Sequence, residues 1–128
     1  MLTLKQIPAT RIVATSSALD QAAWPADTLV LRIATDEVLV TPPVDGLNLE
    51  DPHAIIVPDG GFATAWVAAD QALAFLERAC EWALPSQRPA FAQGAVAGVP
   101  IKLWLEDERI LFVVPVPYVH DFEARYQI

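Results

Sequence analysis

One stretch of the chain is strongly helical, and an extended stretch leads directly into it. Phe62–Val67 sets aromatic and β-branched residues among small ones, the pattern of a strand. From Asp70 the period changes. Leu73, Leu76, Cys80 and Leu84 recur at spacings of three and four, which line one face of a helix. Phe75, Ala79 and Trp82 form a second apolar stripe, so polar groups are confined to Asp70, Gln71, Glu77, Arg78 and Glu81. Pro85 closes the segment. Two stripes exceed what a helix needs to cover one face of a sheet. The sequence therefore predicts a helix over 70–84 covered on two sides, by its own sheet and by a partner.

A length of 128 residues suits one domain with a real core and is too short for two ordinary ones. At 54% hydrophobic, the chain must leave some apolar surface outside, because a domain of this size buries only roughly 65–70% of its unfolded area. That favours a protein partner or self-association. Sixteen acidic residues against eight basic ones give a net charge of −8, which opposes binding to nucleic acid. No apolar run approaches the ~20 residues of a membrane span, and no leader pattern precedes the first strand. The expected compartment is the cytoplasm. A single cysteine excludes an internal disulfide, and Cys80 on the helix stripe reads as a buried, inert thiol.

Strands account for most of the remainder. Met1–Ser17 reads as an edge strand or a drape, since Pro8 cannot donate to a ladder. Ala18–Asp27 reads as a loop with a short helical turn. Thr28–Thr41 reads as a hairpin turning at Thr35-Asp36 and ended by Pro42-Pro43. Val44–His53 is a surface connection, Ala54–Val57 a short buried strand, and Asp59-Gly60-Gly61 a turn. Phe91–Ala97 is a strand in which Gly94 signals a bulge or a close backbone approach. After a turn at Gly98, Ile101, Leu103 and Leu105 alternate with Lys102, Trp104 and Glu106. Ile110–Val114 is continuously apolar, as an interior strand covered on both faces would be. Val119, Phe122 and Tyr126 share a face of a helix over 118–128, with Pro117 at its start. The order predicts an α+β fold: a mostly antiparallel sheet with one long and one C-terminal helix.

Chemistry is sparse. The five glycines form no phosphate-binding motif, and two histidines with one cysteine, widely separated, assemble no usual metal site. His120-Asp121 places a base beside a carboxylate, but adjacent helix side chains diverge by about 100°. Glu106-Asp107-Glu108 reads as a solvated hairpin tip and Asp59 as a turn former. Trp66, Trp82 and Trp104 are candidates for a contact surface. Trp104 alternates away from the apolar face of its strand, which makes it the best of the three, whereas Trp66 is equally well read as core.

Three stretches carry a resemblance. LVLRIATDEVLV (29–40) looks like a leucine-arginine-leucine hairpin, IIVPDGGFATAWVAADQALAFLERAC (55–80) like a strand, aspartate turn, strand and leucine-rich helix, and FAQGAVAGVPIKLWLEDERILFVVPVPYVHDFEARY (91–126) like an "ala-gly-val-pro-ile" turn leading to a terminal helix. Together they resemble the gamma subunit of heterotetrameric sarcosine oxidase, within the superfamily of the glycine-cleavage T protein and the N-terminal domain of a tRNA-modifying GTPase. Departures are clear: Val38 stands where tryptophan is common, Ala68-Ala69-Asp70 lacks the usual glycine, and Pro117-Tyr118 replaces an arginine-serine pair. The resemblance implies half of a folate-binding bowl without flavin or catalytic residues, acting as a structural subunit of an oxidase that demethylates sarcosine or a related N-methyl amine. The second helix stripe and the outward alternation of its strand make Phe75, Trp82 and Trp104 the residues expected to face a partner chain. Similarity to the GTPase domain implies instead a homodimer binding a folate, with Asp59 or Glu81 as the carboxylate that pairs the pterin nitrogens.

Overall fold

A computed structural model describes Met1–Gln127. In chain order the elements are β1 (Lys5–Val13), α1 (Ser16–Gln21), β2 (Leu29–Ala34), β3 (Glu37–Thr41), β4 (Ile55–Ala68), α2 (Ala69–Ala79), β5 (Ala90–Val96), β6 (Val99–Leu105), β7 (Arg109–Pro115) and α3 (Val119–Tyr126), the last preceded by a 3-10 turn at Val116–Tyr118. The fold is α+β, as the residue patterns predict. The chain divides into two compact units, Ile7–Gly60 and the remainder (Met1–Gln6 with Gly61–Ile128), and the long strand β4 runs from one into the other.

In the unit Ile7–Gly60 the strand order is β2-β3-β1-β4. The hairpin β2–β3 forms where the alternation places it, with Leu31 opposite Leu39, and β1 pairs antiparallel with β3. Lys5–Val13 is thus an interior strand and not an edge. The Pro8 carbonyl accepts from the Thr41 hydroxyl at 3.1 Å, so the backbone there is still engaged. Ile12, Val38, Val40, Ala18 and Leu19 make the core of this unit, with α1 covering the sheet. That helix starts earlier than the loop reading placed it, because the Thr15 hydroxyl caps it by accepting from the Ala18 amide at 3.3 Å.

Two further expectations for this unit are corrected. Asp59-Gly60-Gly61 does not end the strand; β4 includes all three residues. Neither glycine adopts positive φ, whereas Gly46 and Gly98 do. Nor is the start of that strand buried: Ile55, Ile56 and Val57 are 56%, 45% and 42% exposed.

In the other unit the order is β4-β7-β6-β5, all antiparallel. One face of this sheet carries Ala63, Ile101, Leu103, Leu105, Ile110, Phe112 and Val114, and it packs against Ala72, Phe75 and Leu76 of α2 and Phe122 of α3. Residues 110–114 are all buried, as a strand covered on both faces requires. The β5–β6 turn is made by Ala97 and Gly98, both at positive φ (52° and 77°), the two-residue geometry that closes hairpins without splaying them.

The central helix is shorter than its apolar pattern suggests. It ends at Ala79; Cys80 is extended (φ −113°, ψ 119°), and Glu81–Leu84 are not helical. The Ala97 amide donates to the Ala79 carbonyl at 2.9 Å, replacing the helical partner that another turn would have supplied. With the helix stopped there, Ala72, Phe75 and Leu76 form the buried face and Leu73 points outward at 38% exposure. Only one face of α2 is therefore used, not two. The predicted C-terminal helix is present as α3, with Phe122 wholly buried; its expected last residue, Ile128, lies outside the described residues. Phe122→Ala removes the ring at the centre of this core, and the expected cost is about 3–5 kcal/mol in urea unfolding.

Candidate functional site: a cleft between the end of α2 and the β5–β6 turn

Because α2 stops at Ala79, the chain leaving it crosses the end of β5 and opens a cleft of about 560 Å³. Phe75, Arg78, Ala79, Glu81 and Trp82 line one side, and Ala95, Ala97, Gly98 and Arg125 the other. The size is that of a small-ligand site. All of these residues belong to one unit.

Two of the walls are held in place by glycines. A Cβ on Gly94 would lie 2.7 Å from Cε2 of Trp82, so only glycine lets the indole lie this close to the strand. The indole Nε1 donates to the Ala95 carbonyl at 2.8 Å, and Cys80 Sγ bonds the Trp82 carbonyl at 3.3 Å. The same occurs at Gly98, where a Cβ would meet Arg125 Nη1 at 2.8 Å. Arg125 Nη1 donates to the Ala97 carbonyl at 2.6 Å. An aromatic plate and a guanidinium are thus fixed on one backbone hairpin before any ligand arrives. Beneath them, Phe75 contacts Tyr126 with ring centroids 4.4 Å apart, and the Arg78 guanidinium sits 5.8 Å from the Phe75 ring centre. Burial pushes the Tyr126 hydroxyl pKa up, and the Arg78 charge partly opposes that.

Of the residues singled out from sequence, Phe75, Glu81 and Trp82 come together at this cleft. Phe75 itself is only 3% exposed and packs against Phe112, Phe122 and Tyr126, so its ring belongs to the core and not to an outer interface. Asp59 lies in the other unit, where Arg11 Nε sits 3.0 Å from its Oδ2 and Arg11 Nη1 3.0 Å from Glu37. Asp59 is therefore a strand residue in an ion-pair group. Cys80 is half-buried, and His120 and Asp121 are exposed on the first turn of α3. Among the described residues no three His, Cys, Asp or Glu side chains gather as metal ligands do, and no helix is long and apolar enough to cross a membrane. No pattern in the sequence singles out Arg125. Its only signal is the Ala97-Gly98 turn, which gives no hint that a helix far along the chain lays a guanidinium on it.

Trp104 lies on the face of the sheet opposite α2 and α3. Register places Phe91, Trp104, Leu111 and Trp66 in one row across β5, β6, β7 and β4. Trp104 is half-buried and Trp66 is the more exposed at 41%, the reverse of the sequence ranking. One carboxylate links the two tryptophans of the row through Arg109. Glu106 Oε2 accepts from Trp104 Nε1 at 3.0 Å, Glu106 Oε1 accepts from Arg109 Nε at 2.9 Å, and the Arg109 guanidinium stacks 3.7 Å over the Trp66 ring. The hairpin tip is thus an organised clamp and not merely solvated charge.

Compared with known proteins, the chain matches no family model, no curated protein and no solved structure.

The Arg109 hydrogen bond, assisted by the one from Trp104, holds the Glu106 carboxyl below the usual glutamate range against a smaller opposing effect of burial. A depressed folded pKa means that the clamp's stabilisation is present above the unfolded glutamate value and is lost as pH falls through the folded one. Carboxyl-detected NMR should give Glu106 an acid midpoint below that of free glutamate, and Arg109→Ala should move it upward.

Proposed function

We propose that this chain is a non-catalytic assembly subunit that docks on a partner polypeptide through the first half of β4. The observation that carries the reading is the run Ile55-Ile56-Val57, three successive large apolar residues that are each more than two-fifths exposed. Successive strand residues point to opposite faces, so this segment is wet on both sides. β4 neighbours β1 on one side, and on the other its ladder with β7 begins only at Phe62, so the run has one open edge. An apolar, uncharged strand segment of this kind is a template for another chain and a hazard when left open.

The α+β element order and the resemblance to the sarcosine oxidase gamma subunit point to the kind of partner: the flavin-bearing subunits of an oxidase acting on an N-methyl amine. The acidic balance of −8 suits a partner with a basic docking face. A folate-binding role draws support from Glu81 beside Trp82 in the cleft, but not from Asp59, which is taken up by Arg11.

Co-expression with the flavin-bearing subunits of a sarcosine-type N-methyl amine oxidase tests the proposal. A stoichiometric complex should form and survive gel filtration. Ile56→Asp should abolish it while leaving the melting temperature of the free chain nearly unchanged, because the side chain is already in water. No complex with the wild-type chain, or one indifferent to Ile56→Asp, would refute the assignment.

A further inference from the structure

We infer that the cleft at the end of α2 is a binding site for a small planar organic monoanion, an aromatic carboxylate whose ring lies on Trp82 and whose carboxylate bonds Arg125. The inference does not depend on the docking reading, which concerns the other unit, nor on a folate, which would place ring nitrogens on Glu81.

Preorganisation is the first ground. The Trp82 indole is pinned by its bond to the Ala95 carbonyl and by the gap at Gly94, so stacking a ring on it costs little side-chain entropy. Arg125 is pinned likewise, with Nη1 on the Ala97 carbonyl and the guanidinium over Gly98. A guanidinium carries five N–H donors, and among the described residues this one has a single hydrogen-bond acceptor. The remainder of its fork is the natural partner of a carboxylate.

Charge is the second ground. On a chain of net −8, this cleft gathers two of the eight basic residues, Arg78 and Arg125, with one carboxylate, Glu81. Elsewhere Arg11, Arg32 and Arg109 are each within 3.0 Å of an aspartate or glutamate oxygen, whereas Arg125 has no carboxylate partner among the described residues. The Arg125 fork, which has no carboxylate on it among the described residues, offers one charge-assisted contact, so one negative charge is matched. A second would meet Glu81 and the acidic field of the whole chain. The volume of about 560 Å³ is ample for one or two fused rings.

Titration with 2-naphthoate, followed by calorimetry and by the Trp82 indole N–H resonance, tests the site. Saturable binding in the high micromolar range is expected, with the Trp82 signal moving. The neutral analogue 2-naphthamide and the non-planar cyclohexanecarboxylate should each bind at least about tenfold more weakly, the range of a lost charge-assisted bond or of a lost stack. Arg125→Gln should weaken 2-naphthoate by roughly tenfold. Glu81→Gln, an exposed change that spares the fold, should strengthen it and admit 2,6-naphthalenedicarboxylate, which the wild type should reject. Failure to saturate at millimolar 2-naphthoate overturns the proposal. So does equal binding of 2-naphthamide, or indifference of the affinity to both Arg125→Gln and Glu81→Gln.

Discussion

Four rings hold the larger unit together. Phe75 of α2, Phe112 of β7, and Phe122 and Tyr126 of α3 meet with centroid separations from 4.4 to 6.1 Å, several of them edge to face. Such contacts are directional, so they fix the rotation of each helix about its axis as well as its distance from the sheet. Once Phe75 is committed to this cluster, Ala72 and Leu76 must follow it inward and Leu73 must turn out. The helix is then fully used by its own sheet.

The same commitment determines where the helix stops. Its start is secured by the Ala69 amide on the Glu108 carbonyl at 3.0 Å, and its end by the Ala97 amide on the Ala79 carbonyl at 2.9 Å. Both anchors come from hairpin tips of the sheet, β6–β7 at one end and β5–β6 at the other. The distance between those tips limits the helix, whatever apolar residues follow it. Trp82, released from the helix, falls instead onto Gly94 and becomes a wall of the cleft. Binding geometry and helix length are in this sense one decision.

The parts that could be read from the sequence are those with local causes. Alternation in Leu29–Thr41 and in Ile101–Leu105 placed the hairpin strands; the continuous run Ile110–Val114 marked the central strand; and Val119, Phe122 and Tyr126 gave the last helix. The misreadings have tertiary causes. Apolar spacing continues to Leu84, but the hydrogen bond from Ala97 that ends the helix comes from sequence-distant backbone. Asp59-Gly60-Gly61 has turn chemistry, yet a long strand overrides it, and Arg11 takes the aspartate. Trp66 reads equally well as core or contact surface from its strand alone, and the Arg109 guanidinium stacked on its ring belongs to another strand. Phe75, Glu81 and Trp82 were visible as residues of interest; that a distant Arg125 completes their cleft follows only from the packing of α3.

Excess apolar surface, which the composition demands, is thus relocated from the helix to the strand Ile55–Val57. Hydrogen exchange on the isolated chain tests that relocation most directly. If the aromatic cluster satisfies α2 unaided, amides of Ala72–Ala79 will exchange as slowly as those of Ile110–Val114, with no other protein present. Exchange of the helix at the rate of an unfolded segment, slowed only when a second polypeptide is added, would contradict the account.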